Sequence, residues 1–395
     1  VTILSVCPTI PYPPIDGGRR NVFFSLKCLS DRRSHIRLAC LSAERDEEAR
    51  KELAKHFQVK AVVHPGKRPS VIGALRSMFR ASPYLVSRNH SRELLEAVLE
   101  MMDGVDLVQI EGIHAAWYGA EVKKRYDVPV ILRLHNLESA NLGTYLPLHP
   151  NPLVRSFLRI ELRKMLAYER SVCGVFDRVA VVSHDDERRL QEIAPSAQTE
   201  VIPVGVDTVS FRPMAGHEEP ESVLWLGSLQ WPPNRDSLFW FLRTILPALV
   251  SASPSVKVRV AGSGSERLTT ELHHPNVSFL GEVGDVRPVV ASSQVCIVPL
   301  RAGSGMRMKT LEFLAMGKAV VSTTLGAQGL GALHGTHLLC ADDPAAFARS
   351  IVDLLRSAAL RERLGREGRS LVEHRYSWDL VTDGFERLYK DVSAS

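Results

Sequence analysis

The sequence contains no C-x-x-C pair, no low-complexity tract, and no apolar run near the roughly 18 residues of a membrane-spanning helix. Its six cysteines (Cys7, Cys28, Cys40, Cys173, Cys296 and Cys340) mostly interrupt apolar stretches, as in ACL around Cys40 and VCIV around Cys296. That placement argues against a disulfide framework or a zinc site and for buried thiols in a reducing, cytoplasmic setting. The opening TILSVCP has neither the charge nor the length expected of a secretory signal. With 26 Gly and 23 Pro in 395 residues, collagen-like and disordered classes are also set aside. Charge of one sign is scarce: 49 Lys and Arg face 44 Asp and Glu, a formal +5 that is too weak for a nucleic-acid binder. That surplus is local. Residues 60–92 hold Lys60, Lys67, Arg68, Arg76, Arg80, Arg88 and Arg92 and no acid, so the rest of the chain has 42 bases against 44 acids.

What the sequence does have is alternation. Short apolar runs bounded by turn residues recur at 2–6, 36–41, 59–63, 106–110, 129–134, 177–182 and 199–202, with helical periodicity between them. Such runs suit strands buried on both faces of a parallel sheet, and the β-α-β rhythm implies a doubly wound α/β domain. The rhythm breaks in the Gly-, Pro- and charge-rich stretch 203–222. It restarts with runs at 222–227, 256–262, 277–281, 295–300 and 319–323, followed by helical patterns over 343–374 and an amphipathic last helix. Two successive α/β halves joined by a linker near 205–220 describe this pattern most simply.

In open α/β sheets, ligands lie beyond the carboxyl ends of the strands, where helix N-termini present unpaired N–H groups. After the first strand, PTIPYPPIDGGRRN places Gly17 and Gly18 ahead of a helix expected over Asn21–Leu29. The turn is not G-x-G-x-x-G and no acidic residue closes the second strand, which argues against a dinucleotide. A tight packing turn and a backbone approach to phosphate or sugar both fit. In the second half, LGSLQWPPN, AGSGSE and FLGEVGD follow successive strands, and the fourth ends in PLRAGSGMRMKTLEFLAMGKAVVST (299–323). Arg301, Arg307 and Lys309 surround the start of a helix expected over Met306–Met316, with Glu312 one turn later. Fixed cations at a helix N-terminus suit a diphosphate, and a carboxylate on the same helix face suits ribose hydroxyls. Each residue taken singly would serve equally as a solvated surface charge.

These segments, with LRLHNLES (132–139), YERSVCGVFDRVAVVSHDD (168–186) and VIPVGVD (201–207), resemble family 4 retaining glycosyltransferases of the GT-B fold over essentially the whole chain. The resemblance implies two facing Rossmann-like domains. Residues 1–205 would bind the acceptor and 206–375 the nucleotide-sugar donor, and a C-terminal helix, 376–395, would cross back to the N-terminal domain. It further implies that Lys309 and Arg307 hold the donor diphosphate together with backbone from Gly303 through Ser304, Gly305 and Thr310 to Leu311. Glu312 would bind the ribose, Glu282 and Val283 would flank the base, and Gly17 and Gly18 would approach the donor. His135 matches the position facing the transferred sugar, with Asn136 and Glu138 beside it and Ser228 and Arg301 as further neighbours. The implied activity is metal-independent hexosyl transfer from a UDP- or GDP-sugar in bacterial polysaccharide or glycolipid synthesis, with no cofactor.

Two departures from the family pattern stand out. Many members carry two glutamates eight positions apart; Glu312 matches the second, and Ser304 occupies the first. Ser228-Leu229 stands where many members have a diphosphate-binding arginine, a loss that Arg307 would offset. A sugar-nucleotide epimerase of similar fold would instead need a carboxylate pair, for which Glu111, Glu138 and Glu169 are the candidates. A non-catalytic sugar-nucleotide-binding protein is the remaining alternative. In the basic stretch, Val71, Ile72, Leu75, Met78 and Phe79 follow helical spacing. Such a helix could contact the inner face of the plasma membrane and deliver a lipid-linked acceptor, or it could be a solvated face. Arg155, Arg159, Arg163 and Lys164 mark a second basic helix.

Overall fold

The computed structural model describes residues 1–394 apart from 44–45, 65–70, 215, 217, 269–271 and 273, and omits the side chains of Val71, Ile72, Leu75, Arg267 and Leu268. Lys67 and Arg68, and the apolar side chains expected at Val71, Ile72 and Leu75, therefore lie outside the described residues. The chain forms two compact units: Val1–Val204 with Trp378–Ser395, and Gly205–Ser377. The first break, between Val204 and Gly205, falls inside the 203–222 stretch where the apolar rhythm stops.

The first unit is built on seven parallel strands: β1 (Thr2–Cys7), β2 (His35–Ser42), β3 (Gln58–Val63), β4 (Leu107–Glu111), β5 (Val130–Leu134), β6 (Arg178–Val181) and β7 (Thr199–Val201). Their order is β3-β2-β1-β4-β5-β6-β7. Successive side chains of a strand point to opposite faces, and here both faces are covered. Leu4 and Val6 of β1 enter one apolar cluster with Val108, Ile110 and Leu132, while Ile3 and Cys7 enter another with Leu38, Leu107 and Ile131. This double burial is why the strands read as continuous apolar runs.

The second cluster is completed by the C-terminal helix, Trp378–Ser393. Its Trp378, Val381, Phe385, Leu388 and Val392 recur at intervals of three and four, so one face meets the first unit's core. Each fully buried large side chain of this kind contributes about 1.5–3 kcal/mol. Arg32 anchors the helix's outer side to Asp383 and Asp379.

The second unit repeats the plan with β8 (Ser222–Leu226), β9 (Lys257–Ala261), β10 (Val277–Gly281), β11 (Val295–Val298), β12 (Ala319–Ser322) and β13 (Leu339–Cys340), ordered β10-β9-β8-β11-β12-β13. Both units are thus Rossmann-like, and each sheet reverses its strand order beside its first strand, at β1/β4 and at β8/β11. Those reversals are where such sheets open a ligand crevice at their carboxyl ends.

Three details differ from the sequence expectation. Gly17 and Gly18 are not a turn ahead of a helix but the first two residues of one, Gly17–Asp31, because the Asp16 carboxylate caps it by accepting from Arg19 N. The helix expected over Met306–Met316 runs only from Met308 to Ala315, since Arg307 is still extended. The pattern over 343–374 divides into Pro344–Arg356 and Ala358–Arg375 at Ser357, whose hydroxyl caps the second helix. Among the described residues all six cysteines are free thiols, and no helix is long and apolar enough to cross a membrane.

Candidate active site

In the second unit, β11 leads into residues 299–307, where Gly303 (φ +125°) and Gly305 (φ +76°) adopt backbone that side-chain-bearing residues rarely take. The loop delivers the chain to the Met308–Ala315 helix, which no side chain caps, leaving first-turn amides for an external acceptor. Arg307 is buried, and its Nη1 donates to the Ser304 carbonyl. A Cβ on Gly303 would come within 2.7 Å of Arg307 Nη2, so this glycine is what seats the guanidinium.

Lys309 reaches from the helix's first turn to the end of β8. Its Nζ donates to Leu226 O at 2.7 Å and Asn234 Oδ1 at 3.0 Å, and lies 5.2 Å from the Trp225 ring centroid. Burial, then the charge of Arg307, pushes the amine down to about 7, with Glu312 pulling the other way. A Cβ on Gly227 would fall 2.9 Å from Lys309 Nζ and 2.8 Å from Asn234 Nδ2. Gly262 (φ +131°) packs so closely that its Cβ would meet Gly227 O at 2.1 Å, locking the loops after β8 and β9 together. Ser228 is drawn into the same lock, its Oγ 2.7 Å from Ser263 Oγ.

The structure brings Lys309, Arg307, Ser304 and the helix start into one cradle, with buried Glu312 one turn on. Thr310 and Leu311 are also buried; the Thr310 hydroxyl donates to Gly326 O, and the backbone N–H of each donates to Arg307 O, so the helix start offers a ligand the amides ahead of them. Glu282 is exposed and Val283 half-buried just beyond β10. Arg301 does not join the cradle. Its guanidinium pairs with both oxygens of Asp236 and lies 5.3 Å from the Trp240 ring centroid. The expected trio of cations is therefore a pair. Asn234 and Trp225 escaped the sequence reading. The W-P-P-N run was the available signal for Asn234, since two prolines start the Pro232–Trp240 helix and fix Asn234 in its first turn.

In the first unit, Glu111, at the end of β4, and His135, just past β5, come together, with His135 Nε2 3.0 Å from Glu111 Oε2. Burial alone would push the Glu111 carboxyl up. Arg133, His135 and Gln109 outweigh it, and the group lies below the ordinary carboxylate value. Gly112 is required here by its left-handed backbone (φ +85°), not by space, since a Cβ there would be in ordinary contact with His135 Cδ2 at 3.9 Å. Asn136 is half-buried next in sequence. Glu138 opens the Glu138–Tyr145 helix, 3.9 Å from His114 Nε2. A Cβ on Gly18 would touch only Asp16 Oδ1, at 3.5 Å, so packing within this unit does not demand that glycine. Glu169 is buried, accepts from Ser139 N at 3.1 Å, and is pushed by burial up to about 7. It caps a helix and does not pair with Glu111 as an acid/base couple would.

Residues 15–210 match the family described as Glycosyltransferase Family 4, and residues 220–357 the one described as Glycosyl transferases group 1. A protein of Klebsiella pneumoniae, described as an uncharacterized 44.6 kDa protein in the cps region, is 22% identical over 98% of this chain and 99% of its own. The phosphatidyl-myo-inositol mannosyltransferase of Mycobacterium leprae is 32% identical over 56% of this chain and 60% of its own length. Among solved structures, sucrose-phosphate synthase from Thermosynechococcus elongatus superposes with a TM-score of 0.76 at 18% identity over all of both chains. HepE of Anabaena in complex with UDP gives 0.72 at 16% identity, over 99% of this chain and 100% of its own. At such identities the structural likenesses speak to the fold, which is the GT-B arrangement of two Rossmann-like domains.

Proposed function

Because the chain belongs to the family 4 glycosyltransferases, we propose that it moves a hexose from a nucleotide-diphosphate sugar to a carbohydrate or lipid-linked acceptor, retaining anomeric configuration and needing no metal. The observation that carries this is the cradle of Lys309, Arg307 and an uncapped helix start at the β8/β11 reversal. In the reaction the bond between the anomeric carbon and the β-phosphate oxygen breaks, and charge develops on the departing diphosphate. In this reading Lys309, Arg307 and the first-turn amides are the groups that stabilise this charge, held in place before the donor arrives. The acceptor oxygen attacks the same face of the sugar, and its proton passes to the departing phosphate oxygen. Glu312 binds the ribose, Glu282 and Val283 flank the base, and His135 meets the transferred sugar.

Incubation with labelled UDP- and GDP-sugars tests this proposal. Transfer or donor hydrolysis supports it, interconversion of the donor sugar favours an epimerase, and binding alone favours a non-catalytic protein. Lys309→Ala is expected to lower turnover about 100-fold or more. Turnover near wild type in that variant would remove the diphosphate assignment.

A lipid-linked acceptor fits the first unit's basic surface. Lys164 Nζ donates to Ser77 O at 2.5 Å and Glu161 accepts from Tyr84 N at 2.6 Å, joining the two basic segments. In these two segments Phe79 is 93% exposed and Leu153 79% exposed, and Arg76, Arg80, Arg159 and Arg163 are exposed as well. Apolar tips within a basic field suit an anionic bilayer. Salt-sensitive co-sedimentation with phosphatidylglycerol vesicles is expected, and its absence would retire the membrane contact.

A further inference from the structure

Beneath His135 runs a chain of buried polar side chains that nothing in the proposed reaction uses. Tyr389 Oη, on the C-terminal helix, donates to Gln109 Oε1 at 2.6 Å, and Gln109 Nε2 donates to Glu111 Oε1 at 2.5 Å. The second Glu111 oxygen, Oε2, is left for His135 Nε2 at 3.0 Å and for Arg133 Nη1 at 3.6 Å. Arg133 in turn donates from Nη2 to Asn21 Oδ1 at 2.8 Å and from Nη1 to Ser25 Oγ at 2.7 Å, with its guanidinium 4.6 Å from the Phe385 ring centroid. Gln109, Glu111, Arg133, Asn21, Ser25 and Tyr389 are all buried.

These contacts remove the usual ambiguity of amide and imidazole orientation. The Asn21 oxygen is taken by Arg133, so its Nδ2 must face His135 Nδ1, 3.0 Å away. An N–H aimed at Nδ1 makes that nitrogen an acceptor, so the ring proton sits on Nε2, on the side of Glu111. The Glu111 carboxylate only accepts, so Gln109 must turn its amide N–H groups toward it, which leaves the Gln109 oxygen to accept from Tyr389 Oη. The Nε2–H is not yet in line with Oε2, and neither atom has another aligned partner.

We propose that Glu111 is a positioning residue that holds His135 in the Nε2–H tautomer, and that the C-terminal helix holds Glu111 through Tyr389 and Gln109. His135 then meets the sugar as a fixed surface and transfers no proton, which leaves the departing phosphate to take the acceptor's. This rests on His135 facing the transferred sugar.

Imidazole nitrogen NMR of the full-length protein carrying 15N-histidine tests the tautomer directly, with the His135 signals identified by their loss in His135→Asn. The expected pattern is a protonated Nε2 and a bare Nδ1. A protonated Nδ1, or a proton on both nitrogens at neutral pH, overturns the proposal. Glu111→Gln sets an N–H against either Gln109 Nε2 or His135 Nε2–H. It should disturb the tautomer and lower kcat roughly 10- to 100-fold, with donor KM nearly unchanged. An unchanged His135 spectrum in that variant also overturns the proposal. Should Glu111→Gln not fold, Tyr389→Phe, which removes one hydroxyl, carries the test: a smaller fall in kcat with the same unmoved KM supports the proposal, and unchanged kcat refutes the helix's part in it. If His135→Ala has wild-type kcat and KM, the assignment of His135 to the sugar fails, while the tautomer result stands on its own.

Discussion

Donor binding should take up a proton. Without ligand, burial and Arg307 hold the Lys309 amine near 7, against an ordinary value of 10.5. A diphosphate in the cradle adds negative charge beside it and raises that value. If the charged amine is the form that binds, about half a proton is taken up at pH 7 and about 0.9 at pH 8, and apparent donor affinity falls roughly tenfold per pH unit above 7. Below pH 6 the affinity should be flat. Calorimetric titration in buffers of different ionisation enthalpy counts the protons directly. A nucleotide sugar is the better probe, because its diphosphate has no terminal phosphate titrating near pH 6. Lys309→Arg should abolish the uptake, since a guanidinium stays charged throughout. The stability of the free protein should move the opposite way. The folded value lies below the unfolded one, so the unfolded chain holds the extra proton between about pH 7 and 10.5, and this residue's contribution to stability rises with pH across that window. Uptake near zero at pH 8, or an affinity unchanged from pH 6.5 to 8.5, would refute the reasoning.

Gly227→Ala should weaken donor binding about 10- to 100-fold in a thermal-shift or calorimetric titration, because its Cβ pushes Lys309 Nζ and Asn234 off their places. Gly262→Ala should instead cost about 2–4 kcal/mol in chemical denaturation, from left-handed strain plus a 2.1 Å collision with backbone. Phe385→Ala, which empties a fully buried site on the C-terminal helix, should cost about 3–5 kcal/mol by the same measure. Arg301→Ala should leave turnover within about twofold of wild type, because its partner is Asp236 and not the cradle.

Twelve of the thirteen strands among the described residues were legible in the sequence, the central ones because a strand buried on both faces must be apolar along its length and the half-exposed β3, β7 and β10 because short β-branched runs bounded by turn residues still mark them. The exception, β13, is only Leu339–Cys340, too short to show any period. The unit boundary was legible because residues 203–222 interrupt that apolar rhythm. The start of the Gly17–Asp31 helix was not, since two glycines suggest a loop and only the Asp16 cap makes them helical. In the cradle, the glycine loop and both cations could be read from local spacing. Asn234 could not, because it meets Lys309 across 75 residues of chain.

The buried chain beneath His135 marks a different limit. Its links join Asn21 to Arg133 across 112 residues and Gln109 to Tyr389 across 280, and no periodicity records such pairings. One link nevertheless left a trace. Arg133 interrupts the apolar run VILRL, and an arginine in a strand buried on both faces must find counter-charge or leave an ion stranded in a medium of low polarity. Glu111 interrupts LVQIE in the same way. Once β4 and β5 are neighbours, their parallel register sets Glu111 directly beside Arg133. Two opposite charges, each out of place in its own strand, are thus a signal that the strands pair at that position. The same pair places fixed charge at the carboxyl edge of the sheet, where the imidazole beside it has to be held in one orientation.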